Sequence, residues 1–227
     1  MSMSEFAPKA GCTMCGIVAA ASASNFSANS SASARSEILW RDDNFTVYRE
    51  EANPVSSKGH IVIVFNLHVS SIYRLSSSDL PLLSDIRAIA TRLLGAFLSG
   101  PADLPDPAEH SKANNFCIGF ITPPFKDNKI PVTDHLHAHA FIGSPDLAGW
   151  WRAVAYSSVS WYSLDDLMAE IKESTTNNRV KSGYENRPLA PIDMVPSAGS
   201  KEGGADGVET TLPSLANPMR HIEDGQC

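Results

Sequence analysis

The chain has 227 residues, 43% hydrophobic and 19% charged, which is enough apolar material for one well-filled core with length to spare. A formal net charge of −7 argues against a general nucleic-acid clamp, which is ordinarily basic, and leaves room for one local pocket holding a small nucleotide. Met1 to Gly11 lacks the basic and apolar segments of a secretory leader, and no run approaches the roughly 20 apolar residues of a membrane span, so the expected setting is cytoplasmic or nuclear.

Residues 1–36 read as an N-terminal arm. It carries Cys12 and Cys15 and then a Ser/Ala-rich, low-complexity stretch over 19–36, the composition of a flexible insertion. From Ile38 the pattern changes. Ile38-Leu39-Trp40, Phe45-Thr46-Val47-Tyr48 and Ile61-Val62-Ile63-Val64-Phe65 are β-branched and aromatic runs, and Asn53-Pro54 and Lys58-Gly59 supply turn chemistry between the last two. Over 79–99, Leu82, Leu83, Ile86, Ile89, Ala90, Leu93, Leu94 and Phe97 recur at helical spacing. Ser77 or Ser78 is placed to cap that helix, Pro81 suits its first turn, and Gly100-Pro101 ends it.

A polar, Pro-rich loop over 101–114 leads to two further strands, Phe116 to Thr122 and His135 to Ile142. After Trp150-Trp151, the segment from Ser163 to Ile171 reads as a short helix capped by Ser163. Beyond about Asn178 the chain is rich in Pro, Gly, Ser and charge. The reading is one α+β domain over 37–178, an antiparallel sheet with one long helix and a short C-terminal helix, followed by a disordered tail over 179–227.

Three histidines, His135, His137 and His139, alternate with apolar residues in the last long strand. Side chains two apart share a face, so their imidazoles would line up about 7 Å apart at each step. Such a row can hold a metal, bind phosphate or attack it, because imidazole is neutral, nucleophilic and titratable near neutral pH. A solvent-facing strand with incidental histidines is the alternative. Cys12-x-x-Cys15 offers two thiolates, and His68 and His135 would complete a tetrahedral S₂N₂ set of structural-zinc composition. A redox role lacks the βα context that such a motif requires. Cys117, in Phe116-Cys117-Ile118, reads as a small core residue.

His135-Leu136-His137-Ala138-His139-Ala140-Phe141 resembles the signature of the histidine triad family of nucleotide hydrolases and transferases. The likeness extends to Cys12-Thr13-Met14-Cys15, to Gly59-His60-Ile61-Val62, and to Asn66-Leu67-His68, over about residues 12–18 and 37–172. Gly119 to Phe125 and Ser158 to Leu167 point to the Hint branch, which acts on adenosine phosphoramidates. The resemblance implies cleavage of a P–N or P–O bond at the α-phosphorus of a purine nucleotide through a covalent His–AMP intermediate.

In that scheme His137 is the nucleophile and His139 contacts the phosphate oxygens. His60 completes the histidine cluster, Glu51 (or its neighbour Glu50) accepts from the ribose hydroxyls, and His135 joins Cys12, Cys15 and His68 around structural zinc. Bland roles stay open: His60 as a satisfied strand-end histidine, Glu51 as surface charge. The sequence departs from the family between Phe125 and His135, where the interval is longer. Val132 stands in place of the polar phosphate-binding residue, for which Thr133 is the substitute. A nucleotide-binding protein that has lost catalysis is the second reading. An aprataxin-like DNA deadenylase ranks third, because the chain carries neither a C-terminal C₂H₂ finger nor a basic surface. A homodimer is the family-level expectation.

Overall fold

Six antiparallel strands form one sheet in the order β1-β2-β3-β5-β4-β6. They are β1 Glu37–Arg41, β2 Phe45–Arg49, β3 His60–Phe65, β4 Phe116–Ile121, β5 His137–Ile142 and β6 Trp161–Ser163. Among the described residues four α-helices accompany them: α1 Thr13–Ala23, α2 Leu80–Leu98, α3 Trp150–Ala155 and α4 Leu164–Thr175. The computed structural model describes residues 6–23, 37–98, 116–147, 149–175 and 214–216. Most of the Ser/Ala-rich insertion, the Pro-rich stretch 101–114 and nearly all of 179–227 lie outside the described residues. Among the described residues no helix is long and apolar enough to cross a membrane.

Strand periodicity decides what each face of the sheet carries. Ile61, Ile63 and Phe65 alternate with His60, Val62 and Val64 on β3, and Ala138, Ala140 and Ile142 alternate with the histidines on β5. The first set faces α2, whose Leu82, Leu83, Ile86, Ile89, Ala90 and Leu94 complete the main core. Each large aliphatic side chain buried there contributes about 1.5–3 kcal/mol. The opposite face holds the histidines. A smaller cluster of Met14, Tyr48, Val62, Val64 and Ile130 covers it at one end, and Val55, Phe141, Ala155 and Tyr156 cover it at the other.

Two glycines shape the surroundings of the histidines. Gly59, just ahead of His60, takes φ +150, and a Cβ there would lie 2.7 Å from the Phe97 ring. Gly119 pairs with His139 across β4 and β5, and a Cβ on it would lie 2.7 Å from the Trp161 ring.

The strands and both expected helices stand where the sequence places them, with instructive differences. The long helix is entered through a 3₁₀ turn, Ser77–Asp79, so its cap is Ser76 and Asp79 rather than Ser77 or Ser78. The Ser76 N–H and hydroxyl both donate to Asp79 Oδ2, at 2.8 and 3.2 Å. Ser163 caps α4, its Oγ accepting from the Asp166 N–H at 3.1 Å. Strand β5 begins at His137, and His135 precedes it in the turn.

Helix α1 takes in Ala19 to Ala23, the start of the stretch read as a flexible insertion, because alanine is the strongest helix former. Ser214, Leu215 and Ala216, within the segment read as a disordered tail, pack on the domain. Leu215 is 8% exposed and joins the main core.

Candidate functional site

Antiparallel pairing sets Val64 opposite His137, Val62 opposite His139 and Phe141 opposite His60, so three histidines meet on one face of two adjacent strands. His60 and His139 are 1% and 0% exposed, and His137 lies half-buried at the rim. The rings of His137 and His139 meet edge to face with centroids 5.0 Å apart. His60 Nε2 lies 3.1 Å from His139 Nδ1.

Hydrogen bonds fix where each ring keeps its proton. The Nδ1–H of His137 donates to the main-chain oxygen of His135 at 2.7 Å, which leaves Nε2 as an unprotonated lone pair. The Val55 N–H donates to His60 Nδ1 at 3.2 Å, so neutral His60 carries its hydrogen on Nε2 and donates it to His139 Nδ1. His139 then holds its own hydrogen on Nε2, a buried atom with no partner among the described residues.

Burial, aided by the nearby Arg152 charge, pulls the His60 pKa down to about 3. Burial, with His137, His60 and Arg152 adding to it, holds His139 well below the usual imidazole range. All three rings are therefore neutral at pH 7. An unprotonated nitrogen at the rim beside a buried N–H donor is the pairing a nucleophile and an oxyanion contact require.

A second cluster sits at the N-terminal end of β5. Ligand atoms of Cys12, Cys15, His68 and His135 all lie within 4.8 Å of one another, a set able to hold a metal ion. Cys12 Sγ is 3.4 Å from His135 Nδ1, Cys15 Sγ is 3.3 Å from His68 Nδ1, and the two Nδ1 atoms are 3.2 Å apart. A tetrahedral ion with zinc bond lengths would put sulfur and nitrogen about 3.5 Å apart and two nitrogens about 3.3 Å apart, so the spacing fits.

The donors' hydrogen bonds agree with that fit. His135 Nε2–H donates to the Phe65 carbonyl at 2.8 Å and leaves Nδ1 for an ion. The Lys9 N–H donates to Cys15 Sγ at 3.4 Å, an interaction that favours thiolate. Just outside, Lys9 Nζ pairs with Asp134 at 2.6 Å and ties the arm to the approach to β5.

Glu51 and Thr133 are not brought to the histidines. Glu51 is exposed and pairs with Arg49 at 3.4 Å, while Thr133 is exposed two residues before His135. Glu50 Oε1 is engaged by the Asn53 N–H at 2.7 Å.

Sequence reasoning missed three residues that back the site: Asp127, Arg152 and Tyr156. Asp127 is 0% exposed and accepts from Arg152 Nε at 3.1 Å and from the Tyr156 hydroxyl at 3.0 Å. The polar run Lys126-Asp127-Asn128-Lys129 reads as surface loop, and no periodicity announces a buried charge within it. The one available signal was Arg152, a lone charge between Trp150-Trp151 and Ala153-Val154-Ala155.

Residues 25–149 match the family model described as scavenger mRNA decapping enzyme C-term binding. No curated protein matches the chain. Among solved structures the chain is similar to a histidine triad protein from Clostridium difficile, at 16% identity and a TM-score of 0.40, over 63% of this chain and 97% of that one. It is similar to a HIT family hydrolase from Legionella pneumophila Philadelphia 1, at 18% identity and a TM-score of 0.37, over 61% of this chain and 96% of that one. A structure of Hnt3 in complex with DNA and guanosine has 18% identity and a TM-score of 0.32, over 63% of this chain and 70% of that one. With more than half of its length matched and the triad set out on β5, the chain belongs to the scavenger mRNA decapping enzyme C-term binding family and so to the histidine triad superfamily.

Proposed function

We propose that the chain is a hydrolase or transferase that cleaves a P–N or P–O bond at the α-phosphorus of a purine nucleotide, with adenosine phosphoramidates as the leading substrate class. The reading is carried by one observation: the His135 carbonyl holds the His137 proton on Nδ1, which leaves Nε2 able to attack.

In the first step the His137 Nε2 lone pair forms a bond to phosphorus, the P–N bond of the substrate breaks, and the amine departs with one added proton. The nucleotidylated ring is cationic, and its Nδ1–H remains on the His135 carbonyl. In the second step water attacks phosphorus, the bond to Nε2 breaks, and AMP, free His137 and one proton result. His139 donates its Nε2–H to the phosphate oxygens, where negative charge gathers in the transition state.

In this reading Thr133 reaches the phosphate once the backbone ahead of His135 shifts, and Glu51 takes the ribose hydroxyls on leaving Arg49. Cys12, Cys15, His68 and His135 hold zinc, which when bound cross-links the N-terminal arm to the start of β5. The catalytic domain spans 37–178. Among the described residues Phe116 to Ile118 lie beyond the β4–β6 pairing, an edge that suits a second copy in a homodimer.

The family's description favours one further reading, cleavage of a P–O anhydride in a capped nucleotide. The deciding experiment is AMP release from adenosine 5′-phosphoramidate by wild type and His137→Ala, with a cap dinucleotide and an adenylated DNA end assayed alongside. Release by wild type alone is expected. Full turnover by His137→Ala overturns the nucleophile, and no turnover of any substrate moves the weight to a binding protein.

A further inference from the structure

We propose that Asp127 and Arg152 form a buried positioning unit that acts through the 53–55 turn and His60 on Nδ1 of His139, so that Nε2–H is the one donor this ring presents to phosphate. The proposal rests on the reading of His139 as a phosphate contact.

The ion pair at its centre is the first observation. Asp127 and Arg152 meet at 3.1 Å with side chains 0% and 10% exposed. Desolvating two charges costs several kcal/mol each, and buried pairs are often no more stabilising than apolar side chains of the same volume. Stability alone is therefore a poor reason for this pair, and its hydrogen bonds suggest another. Each guanidinium nitrogen of Arg152 donates once: Nε to Asp127, one terminal nitrogen to the Pro54 carbonyl at 3.1 Å, the other to the Asn53 carbonyl.

Tyr156 competes with this arrangement. Its hydroxyl donates to Asp127 Oδ2 at 3.0 Å, and its oxygen lies 3.3 Å from His139 Nδ1 with the two rings edge to face. The hydroxyl has one hydrogen, and the carboxylate takes it. The Tyr156 oxygen can therefore only accept from Nδ1, so it is the His60 donor that keeps the hydrogen of His139 off that nitrogen.

The unit acts through the turn that Arg152 holds by its carbonyls. The next N–H in that turn, from Val55, donates to His60 Nδ1, which forces the His60 hydrogen onto Nε2 and toward His139 Nδ1. That donor occupies Nδ1 and leaves the buried, unpartnered Nε2 of His139 as the site of its hydrogen.

Asp127 is itself built in. Its Oδ1 accepts the Lys129 N–H at 2.9 Å, and Ile130, which pairs with it in an isolated bridge, packs against Met14, Val62 and Val64. The stretch in which this chain departs from the family pattern is therefore the stretch that anchors the unit.

The test uses the full chain labelled with ¹⁵N-histidine, long-range ¹H–¹⁵N correlation spectra, AMP titration and steady-state kinetics on adenosine 5′-phosphoramidate. Wild type is expected to show His139 as the Nε2–H tautomer, with that resonance moving on addition of AMP. Tyr156→Phe keeps the ring volume and the ion pair and removes the competing acceptor, so the Nε2–H tautomer should persist and kcat stay within about threefold. Arg152→Gln should lower it about a hundredfold and populate the Nδ1–H tautomer, while AMP affinity stays within about twofold in both, since misplacing one group by an ångström costs about that much rate. Arg152→Lys, which keeps the charge opposite Asp127 without the hold on two carbonyls, recovers part of the loss and replaces Arg152→Gln if that variant does not fold. The proposal is overturned if wild-type His139 carries its hydrogen on Nδ1. It is equally overturned if folded Arg152→Gln, or Arg152→Lys in its place, keeps the wild-type tautomer and kcat. Should wild type release no AMP while Arg152→Gln still shifts the tautomer, the positioning unit stands and the hydrolase reading falls.

Discussion

His137 Nδ1 lies 2.7 Å from the main-chain oxygen of His135, so one triad residue sets the proton of another through backbone that no side-chain substitution removes. His139 has no such contact on Nε2, and that difference separates a nucleophile from a donor. His139→Ala is expected to lower kcat by about 10²–10³-fold with KM nearly unchanged, the loss that follows removal of one donor from an oxyanion site. Equal losses in kcat and in AMP affinity would show that the ring binds the ground state instead.

The Cys/His cluster predicts a metal-dependent N-terminus. Purified protein is expected to carry about one zinc per chain by elemental mass spectrometry, and Cys15→Ser to lose most of it. Because an ion there would join residues 12 and 15 to 68 and 135, a chelator should lower Tm and open the arm to trypsin at the exposed Lys9. Zinc content near zero in wild type, with Tm insensitive to chelator, would leave the four side chains as a hydrogen-bonded cluster only.

Much of this was legible in the sequence where a period carries the information. Alternation on β3 and β5 announces which residues share the histidine face, and the three- and four-residue spacing of Leu82 to Leu94 announces the face of α2 that covers the core. The four candidate metal ligands, far apart in sequence, were legible by chemistry rather than by period. What escaped has no period. Asp127 and Arg152 are buried only because each neutralises the other across 25 residues of chain, and either alone reads as surface. Helix α3 carries the exposed Trp150 and Trp151, at 71% and 61%, so its apolar residues do not mark its buried side. Glu51 pairs with Arg49 at 3.4 Å, a contact that no sequence period announces.

Asp79 predicts a role for a short piece of the C-terminal segment. Its Oδ1 accepts from the Leu215 N–H at 2.6 Å and from the Ser214 hydroxyl at 3.1 Å, while Oδ2 caps the entry to α2. Asp79→Ala strands four backbone or hydroxyl donors and is expected to cost about 2–4 kcal/mol. Leu215→Asp should cost about 2–3 kcal/mol through lost burial and an unpaired charge, and truncation after 213 about as much as lost Leu215 packing allows. Urea unfolding of the three variants measures this, and a truncated chain as stable as wild type would show that Ser214 to Ala216 rest on the domain without supporting it.

Acid should destabilise the fold through its buried histidines, and the sign follows from where the proton goes. His60 has its pKa lowered to about 3 by burial, and His139 is held low for the same reason. Above about pH 6.5 both rings are neutral in the folded and unfolded chain, so they add no pH dependence. Below it the unfolded chain takes up protons that the folded chain refuses, and His60 alone lowers stability by about 1 kcal/mol per pH unit as pH drops toward 3, with His139 acting in the same sense. Burial raises Asp79, which acts in the opposite sense near the carboxylate range. Comparing wild type with His60→Gln at each pH isolates one ring from that carboxylate and from proton competition at the metal ligands. The wild-type advantage should shrink by about 1 kcal/mol per unit between pH 6.5 and 4.5 in urea unfolding. A constant difference over that range would mean that His60 takes a proton inside the fold as readily as outside it, and the buried neutral cluster would have to be given up.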